Sequence, residues 1–179
     1  MVFIHLAEGF EEIEAITIAD ILRRGDVEVS LVSVTDKIEV VGSHGIKIIA
    51  DSTIESIGYE KCQVIVLPGG MPGTLNLTKS SYLMDRIMEF NSKEKLICAI
   101  CAAPLVLEKV GILKNINATI YRGMENYIES ANYHDEKVVK DKNIITSQGP
   151  GTAMVFALEI LKELKGNIVY EKVKKDLLI

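Results

Sequence analysis

Short apolar runs alternate along the chain with stretches whose apolar positions recur at helical spacing. Val2 to Ala7 is a continuous apolar run and predicts a first strand. Gly9 to Arg24 follows with helical spacing and stops at Gly25. Val27 to Val34 predicts a second strand, and Val40 to Asp51, punctuated by Gly42 and Gly45, a hairpin excursion. Gln63 to Leu67 predicts a strand broken by Pro68-Gly69-Gly70, and Tyr82 to Phe90 a helix. Leu96 to Ile100 has the makeup of a buried strand, and a helical pattern follows with Pro104 in its first turn, where proline is tolerated. Ala118 to Tyr121 predicts a short strand and Met124 to Ser130 a helical segment. Lys137 to Lys140 and Asn143 to Ser147 predict strands around a tight turn. Thr152 to Leu164 predicts a long helix introduced by Gly149-Pro150-Gly151, with Thr152 as its cap.

Strands this apolar, alternating with helices, predict an α/β fold: a mostly parallel sheet covered on both faces. In such sheets ligands gather beyond the carboxyl ends of the strands. Three loops with suggestive chemistry leave strand ends there: Glu8-Gly9-Phe10-Glu11-Glu12, Pro68-Gly69-Gly70-Met71-Pro72-Gly73 and Cys101-Ala102-Ala103. No linker, low-complexity tract or internal repeat interrupts the pattern, so residues 1–179 are expected to form one domain.

Composition adds mainly exclusions. A net charge of −5, with no basic stretch interleaved with aromatics, gives no reason to expect nucleic-acid binding. The lysines near the end (Lys172, Lys174, Lys175) fit a solvated face. No apolar run approaches ~18 residues, the length a membrane span needs. The start lacks the basic region and cleavage site of a signal peptide. Cys62, Cys98 and Cys101 are an odd count that suits a reducing, cytoplasmic setting.

Cys101 falls on the hinge between the strand at Leu96–Ile100 and the helix after it. There, the free N–H groups and positive end of a helix are expected to lower a thiol's pKa and favour the nucleophilic thiolate. The other reading is a buried, inert cysteine. On the first helix, Glu14 falls between Ile18 and Ile21 on the apolar side. Glu11 belongs to the first turn, and Glu12 groups with Ala19 and Arg23 on a more polar flank. A carboxyl buried on an apolar face has a raised pKa and suits hydrogen-bond donation and proton transfer beside a thiolate. Alternatively, Glu14 snorkels to solvent at the rim. The Pro68-Gly69-Gly70 turn lets backbone approach a ligand closely. With the N–H of Ala102 it could bind an oxyanion, or it could be a plain turn.

Cys98 and Cys101 match C-x-x-C. If Cys98 lies in a strand, however, three steps at ~3.3 Å separate the Cα atoms by roughly 10 Å. A disulfide needs less than ~7 Å. His5, His44 and His134 are scattered singly, so no zinc site is expected, and His5 reads as a packed core residue. No G-x-G-x-x-G, Walker A or G-x-S-x-G motif is present, and no cofactor is expected.

Four segments, taken together and in this order, resemble the DJ-1/ThiJ/PfpI family. They are Ala7-Glu8-Gly9-Phe10-Glu11-Glu12-Ile13-Glu14, Leu67-Pro68-Gly69-Gly70, Ala99-Ile100-Cys101-Ala102-Ala103-Pro104 and Thr146-Ser147-Gln148-Gly149-Pro150-Gly151-Thr152. The resemblance spans essentially the whole chain and points to the branch of the parkinsonism-associated deglycase and its bacterial relatives. It implies a flavodoxin-like three-layer sandwich, usually a homodimer, with Cys101 as nucleophile in a strained elbow. It also implies a protonated Glu14 beside the sulfur and backbone N–H groups around Gly70 and Ala102 as an oxyanion site. His44 matches a segment that approaches the dimer interface in relatives. The family's activities include cofactor-free glyoxalase chemistry on small carbonyl compounds, repair of glycated proteins, chaperone action and oxidative-stress sensing through the cysteine. Protease-like members carry a histidine directly after the nucleophile; Ala102 stands here and argues against peptidase activity. Arg122 is expected where the branch has a pocket histidine, and Ala103 replaces a common glycine.

Overall fold

In the computed structural model, which describes residues 1–179, the chain opens with β1 (Val2–Leu6), α1 (Glu12–Arg24) and β2 (Val29–Ser33). A small hairpin, β3 (Glu39–Val41) and β4 (Lys47–Ile49), precedes β5 (Ser52–Thr53) and β6 (Val64–Leu67). Then come α2 (Gly73–Leu77), α3 (Ser81–Ser92), β7 (Leu96–Ile100) and α4 (Pro104–Lys109). The last part holds β8 (Asn117–Ala118), β9 (Asn132–Tyr133), β10 (Val138–Asp141), β11 (Ile144–Ser147) and α5 (Ala153–Asp176).

Seven strands form one sheet in the order β10-β11-β7-β6-β1-β2-β5. All neighbours run parallel except β10 against β11. Successive side chains of a strand point to opposite faces, so each central strand feeds two cores. On one face Ile4, Leu6, Val66, Cys98 and Ile100 pack against Ile18 and Leu22 of α1 and Phe156 and Ile160 of α5. On the other, Phe3, Ile65, Leu67, Ile97 and Ala99 pack against Leu83, Ile87 and Phe90 of α3 and Val106 and Leu107 of α4. Burial of each large apolar side chain contributes about 1.5–3 kcal/mol. The result is the mostly parallel, doubly covered sheet expected from the apolar strands, in the flavodoxin-like arrangement that the resemblance implies.

His5 lies in the second layer, fully buried, with Nε2 2.6 Å from the Tyr59 hydroxyl. Burial pushes its imidazole down to about 4, so it is a neutral packing residue.

Several boundaries differ from the sequence pattern for identifiable reasons. α1 begins at Glu12 rather than Gly9, because Gly9 has φ +84° and breaks the helical path. Of Met124–Ser130, one 3-10 turn forms, at Glu125–Tyr127. The strand expected over Ala118–Tyr121 is confined to Asn117–Ala118. Thr152 does not cap α5 with its side chain; its Oγ1 instead accepts the Gly149 N–H at 3.0 Å and lies 2.6 Å from Ser147 Oγ. α5 continues past the expected end at Leu164 to Asp176, across a break at Gly166 (φ +79°). No helix is long and apolar enough to cross a membrane.

Candidate functional site

The register of β6 against β7 pairs Leu67 with Ala99, so the segments leaving the two strands emerge side by side. A Cβ added to Gly69 would lie 2.6 Å from the Cys101 Cβ, which is why this turn has glycine. Gly70 has φ +90°, and a Cβ there would meet the Glu11 nitrogen at 2.5 Å and the Gly9 oxygen at 2.6 Å. The Glu11 N–H donates to the Gly69 carbonyl at 2.9 Å, tying this turn to the start of α1.

Cys101 has φ +63°, a left-handed conformation uncommon for a residue with a side chain and costing about 1–3 kcal/mol. It is held from both sides. Its N–H donates to the Ser147 carbonyl and its carbonyl accepts the Tyr121 N–H, each at 2.9 Å. The bend turns the sulfur toward α1 and toward the backbone N–H groups of Gly70 and Ala102, both of which act on it.

Glu14 is fully buried, so it does not snorkel. Its Oε2 accepts the Gly69 N–H at 2.7 Å. Oε1 finds no nitrogen or oxygen partner, and the Cys101 sulfur is within reach of the carboxyl. Burial pushes the Glu14 carboxyl up to about 8, against the Gly69 N–H and the Cys101 thiol, so it carries its proton at neutral pH.

The thiol departs from the sequence expectation. Burial, followed by the charge of an ionised Glu14, pushes Cys101 up to about 12, while the N–H groups of Gly70 and Ala102 act the other way. The six-residue α4, starting at Pro104, does not outweigh burial. Two anions in one dry site oppose each other, so the sulfur and carboxyl form one coupled acid–base pair. With the proton on Glu14, the repulsion from its charge vanishes and the carboxyl becomes a donor to a thiolate.

Glu12, placed by the helical wheel on a polar flank, is instead covered by the β3–β4 hairpin. Burial alone would raise its carboxyl, but hydrogen bonds from the His44 ring and from the His44 and Ile46 N–H groups hold it at about 2. The His44 ring is exposed, and its pKa is raised chiefly by Glu12, 2.8 Å away. Glu11 Oε2 is 3.7 Å from the same nitrogen. His44 therefore fastens the hairpin to α1. Glu12 is saturated by these donors, which leaves the trio poorly suited to a metal ion.

Arg122 is exposed and forms an ion pair with Asp135 at 3.0 Å. The residue beside Cys101 is its neighbour Tyr121, which the sequence reading did not single out. A Cβ built on Gly149 would lie 3.1 Å from the Tyr121 ring and 4.0 Å from Cys101 Sγ. An aromatic at the end of a short apolar segment was the available signal. Cys62 and Cys98 are buried free thiols, and burial raises both.

Comparison with known proteins agrees with this architecture. Protein dj-1beta of Drosophila melanogaster is 40% identical over 176 residues, covering 97% of this chain and 94% of its own. The Parkinson disease protein 7 homolog of Danio rerio is 34% identical over 178 residues, covering 97% and 94%. The crystal structure of Drosophila melanogaster DJ-1beta superposes with a TM-score of 0.96 at 39% identity, over 99% of this chain and 97% of that one. Toxoplasma gondii DJ-1, oxidized, superposes with a TM-score of 0.93 at 34% identity, over 99% and 97%. The profile of the DJ-1/PfpI family matches residues 1–163, and the chain belongs to that family.

Proposed function

We propose that the protein is a cofactor-free enzyme acting on small reactive carbonyl compounds, with Cys101 as nucleophile and Glu14 as its acid–base partner. The observation that carries this reading is the buried Glu14 carboxyl placed against a left-handed Cys101. In the first step the Cys101 sulfur bonds to the aldehyde carbon of an α-oxoaldehyde. With Cys101 as thiolate, the carbonyl π bond breaks and its oxygen takes the proton of the Glu14 carboxyl, giving a hemithioacetal and leaving a carboxylate able to accept the C–H proton. The N–H groups of Gly70 and Ala102 would stabilise charge on that oxygen. Glu14 would then move the aldehyde proton to the adjacent carbon, oxidising the first carbon to a thioester and reducing the second to an alcohol. Water cleaves the thioester, releasing a 2-hydroxy acid and the free thiol.

Purified protein given methylglyoxal without glutathione is expected to accumulate lactate. Formation no faster than with an equal concentration of free thiol overturns the enzymatic reading.

A second reading has a specific observation behind it: Cys101 is the one partly exposed thiol, with a protonated carboxyl positioned to donate to an oxidised sulfur. The similar structure from Toxoplasma gondii is that of an oxidized DJ-1. Under this reading the protein has a stress-protective or sensing role. Mild peroxide is then expected to add two oxygens at Cys101 and none at Cys62 or Cys98, which peptide mass mapping reads directly. Oxidation of all three at similar rates ends the sensor reading.

We also propose a homodimer in the cytoplasm. Support comes from exposed isoleucines on α1 (Ile13, Ile16) and on the hairpin (Ile46, Ile49), an apolar surface that a second copy would cover. Sedimentation is expected to give twice the chain mass, and Ile16→Asp to shift it to the monomer. A wild-type monomer at micromolar concentration rejects the assembly.

A further inference from the structure

Cys101 Sγ borders Gly149, which the acid–base chemistry does not use. The Tyr121 ring packs on Gly149, where a Cβ would come within 3.1 Å of Cδ2, a tight approach, and within 3.5 Å of Cε2, an ordinary contact. The same position is 4.0 Å from Cys101 Sγ. Gly149 is extended (φ 163°, ψ −167°), so its conformation does not demand glycine; the missing side chain is what lets the ring sit this close. Both ends of the contact are tethered. The Tyr121 N–H holds the Cys101 carbonyl at 2.9 Å, and the Gly149 N–H is held by Thr152 Oγ1 at 3.0 Å. The same ring lines a cleft of about 340 Å³, shared with Arg122, Gln148 and Gly149 but not with Cys101. Tyr121 thus packs on the glycine that borders the sulfur and also lines a space large enough for a ring-bearing substituent.

We infer that the Tyr121 ring, seated on Gly149, is a partition that restricts Cys101 to carbonyl compounds with a small group beside the aldehyde. As a statement about substrates this rests on the enzymatic reading above; as a statement about access to the sulfur it does not. Tyr121 is half exposed, so truncating it removes the partition without emptying a core site.

The test compares labelling of Cys101 by iodoacetamide and by the bulkier N-phenylmaleimide, followed by peptide mapping. Tyr121→Ala is expected to raise the phenylmaleimide-to-iodoacetamide rate ratio by about tenfold or more, the scale on which pockets discriminate size. Tyr121→Phe, which keeps the ring, is expected to leave the ratio at its wild-type value. An unchanged ratio in Tyr121→Ala, or equal acceleration of both reagents, overturns the partition. In turnover, kcat/KM for phenylglyoxal relative to methylglyoxal is expected to rise in the same variant. A shifted labelling ratio with neither compound turned over supports the partition and overturns the enzymatic reading alone.

Discussion

Glu14→Gln lowers the glutathione-independent conversion of methylglyoxal by about 10²–10⁴-fold, the usual contribution of a positioned acid–base group, and Cys101→Ala abolishes it. The glutamine keeps a hydrogen-bond donor near the sulfur but cannot carry a proton between carbons. The loss therefore falls on kcat, with the thiol still present. A companion measurement separates the two duties of Glu14. Glu14→Leu retains neither donor nor acid, and a hydrogen bond to a charged acceptor is worth about 1.5–3 kcal/mol. At about 1.4 kcal/mol per unit, the thiol pKa in Glu14→Leu should lie at least about one unit above that in Glu14→Gln. Wild-type turnover in Glu14→Gln would remove Glu14 from the chemistry. Equal thiol pKa values in the two variants would show that the carboxyl does not donate to the sulfur.

Between about pH 5 and about pH 8, a protein bearing Glu14 loses about 3 kcal/mol of stability relative to its Glu14→Gln counterpart. Burial raises the Glu14 carboxyl from 4.5 to about 8 in the folded chain. Across that interval the folded state keeps a proton that the unfolded state has released, so raising the pH favours unfolding. The contribution is fully present below the unfolded pKa and is lost as the pH climbs to the folded one. Glu12 works in the opposite sense, because its carboxyl is held at about 2 and its contribution fades on acidification toward that value. It is common to both proteins and cancels in the comparison. Urea unfolding of Cys101→Ala and Cys101→Ala/Glu14→Gln, in which only one member of the pair can titrate, gives the difference directly. Parallel stability curves across this range would show that Glu14 is ionised in the folded protein.

Residue periodicity alone determined the layered architecture. Strands apolar on both faces, such as Leu96–Ile100, are stable only between two layers, and the core clusters have that form. It also placed Cys101 on the hinge and Glu14 on the apolar side of α1, because helical phase is a local property of the chain; that Glu14 is buried there and does not snorkel was decided by packing. Tertiary structure decided what local phase does not encode. Burial of Glu12 depends on a hairpin folding back over α1, a contact between residues more than thirty positions apart. Tyr121 is brought to Cys101 by one backbone hydrogen bond and packs on a distant glycine, neither of which leaves a periodic trace. The acidity of Cys101 was decided there as well. The hinge alone favours a thiolate, but the balance is set by how much water the surrounding layers exclude and by where the shared proton sits, and both are properties of the assembled site.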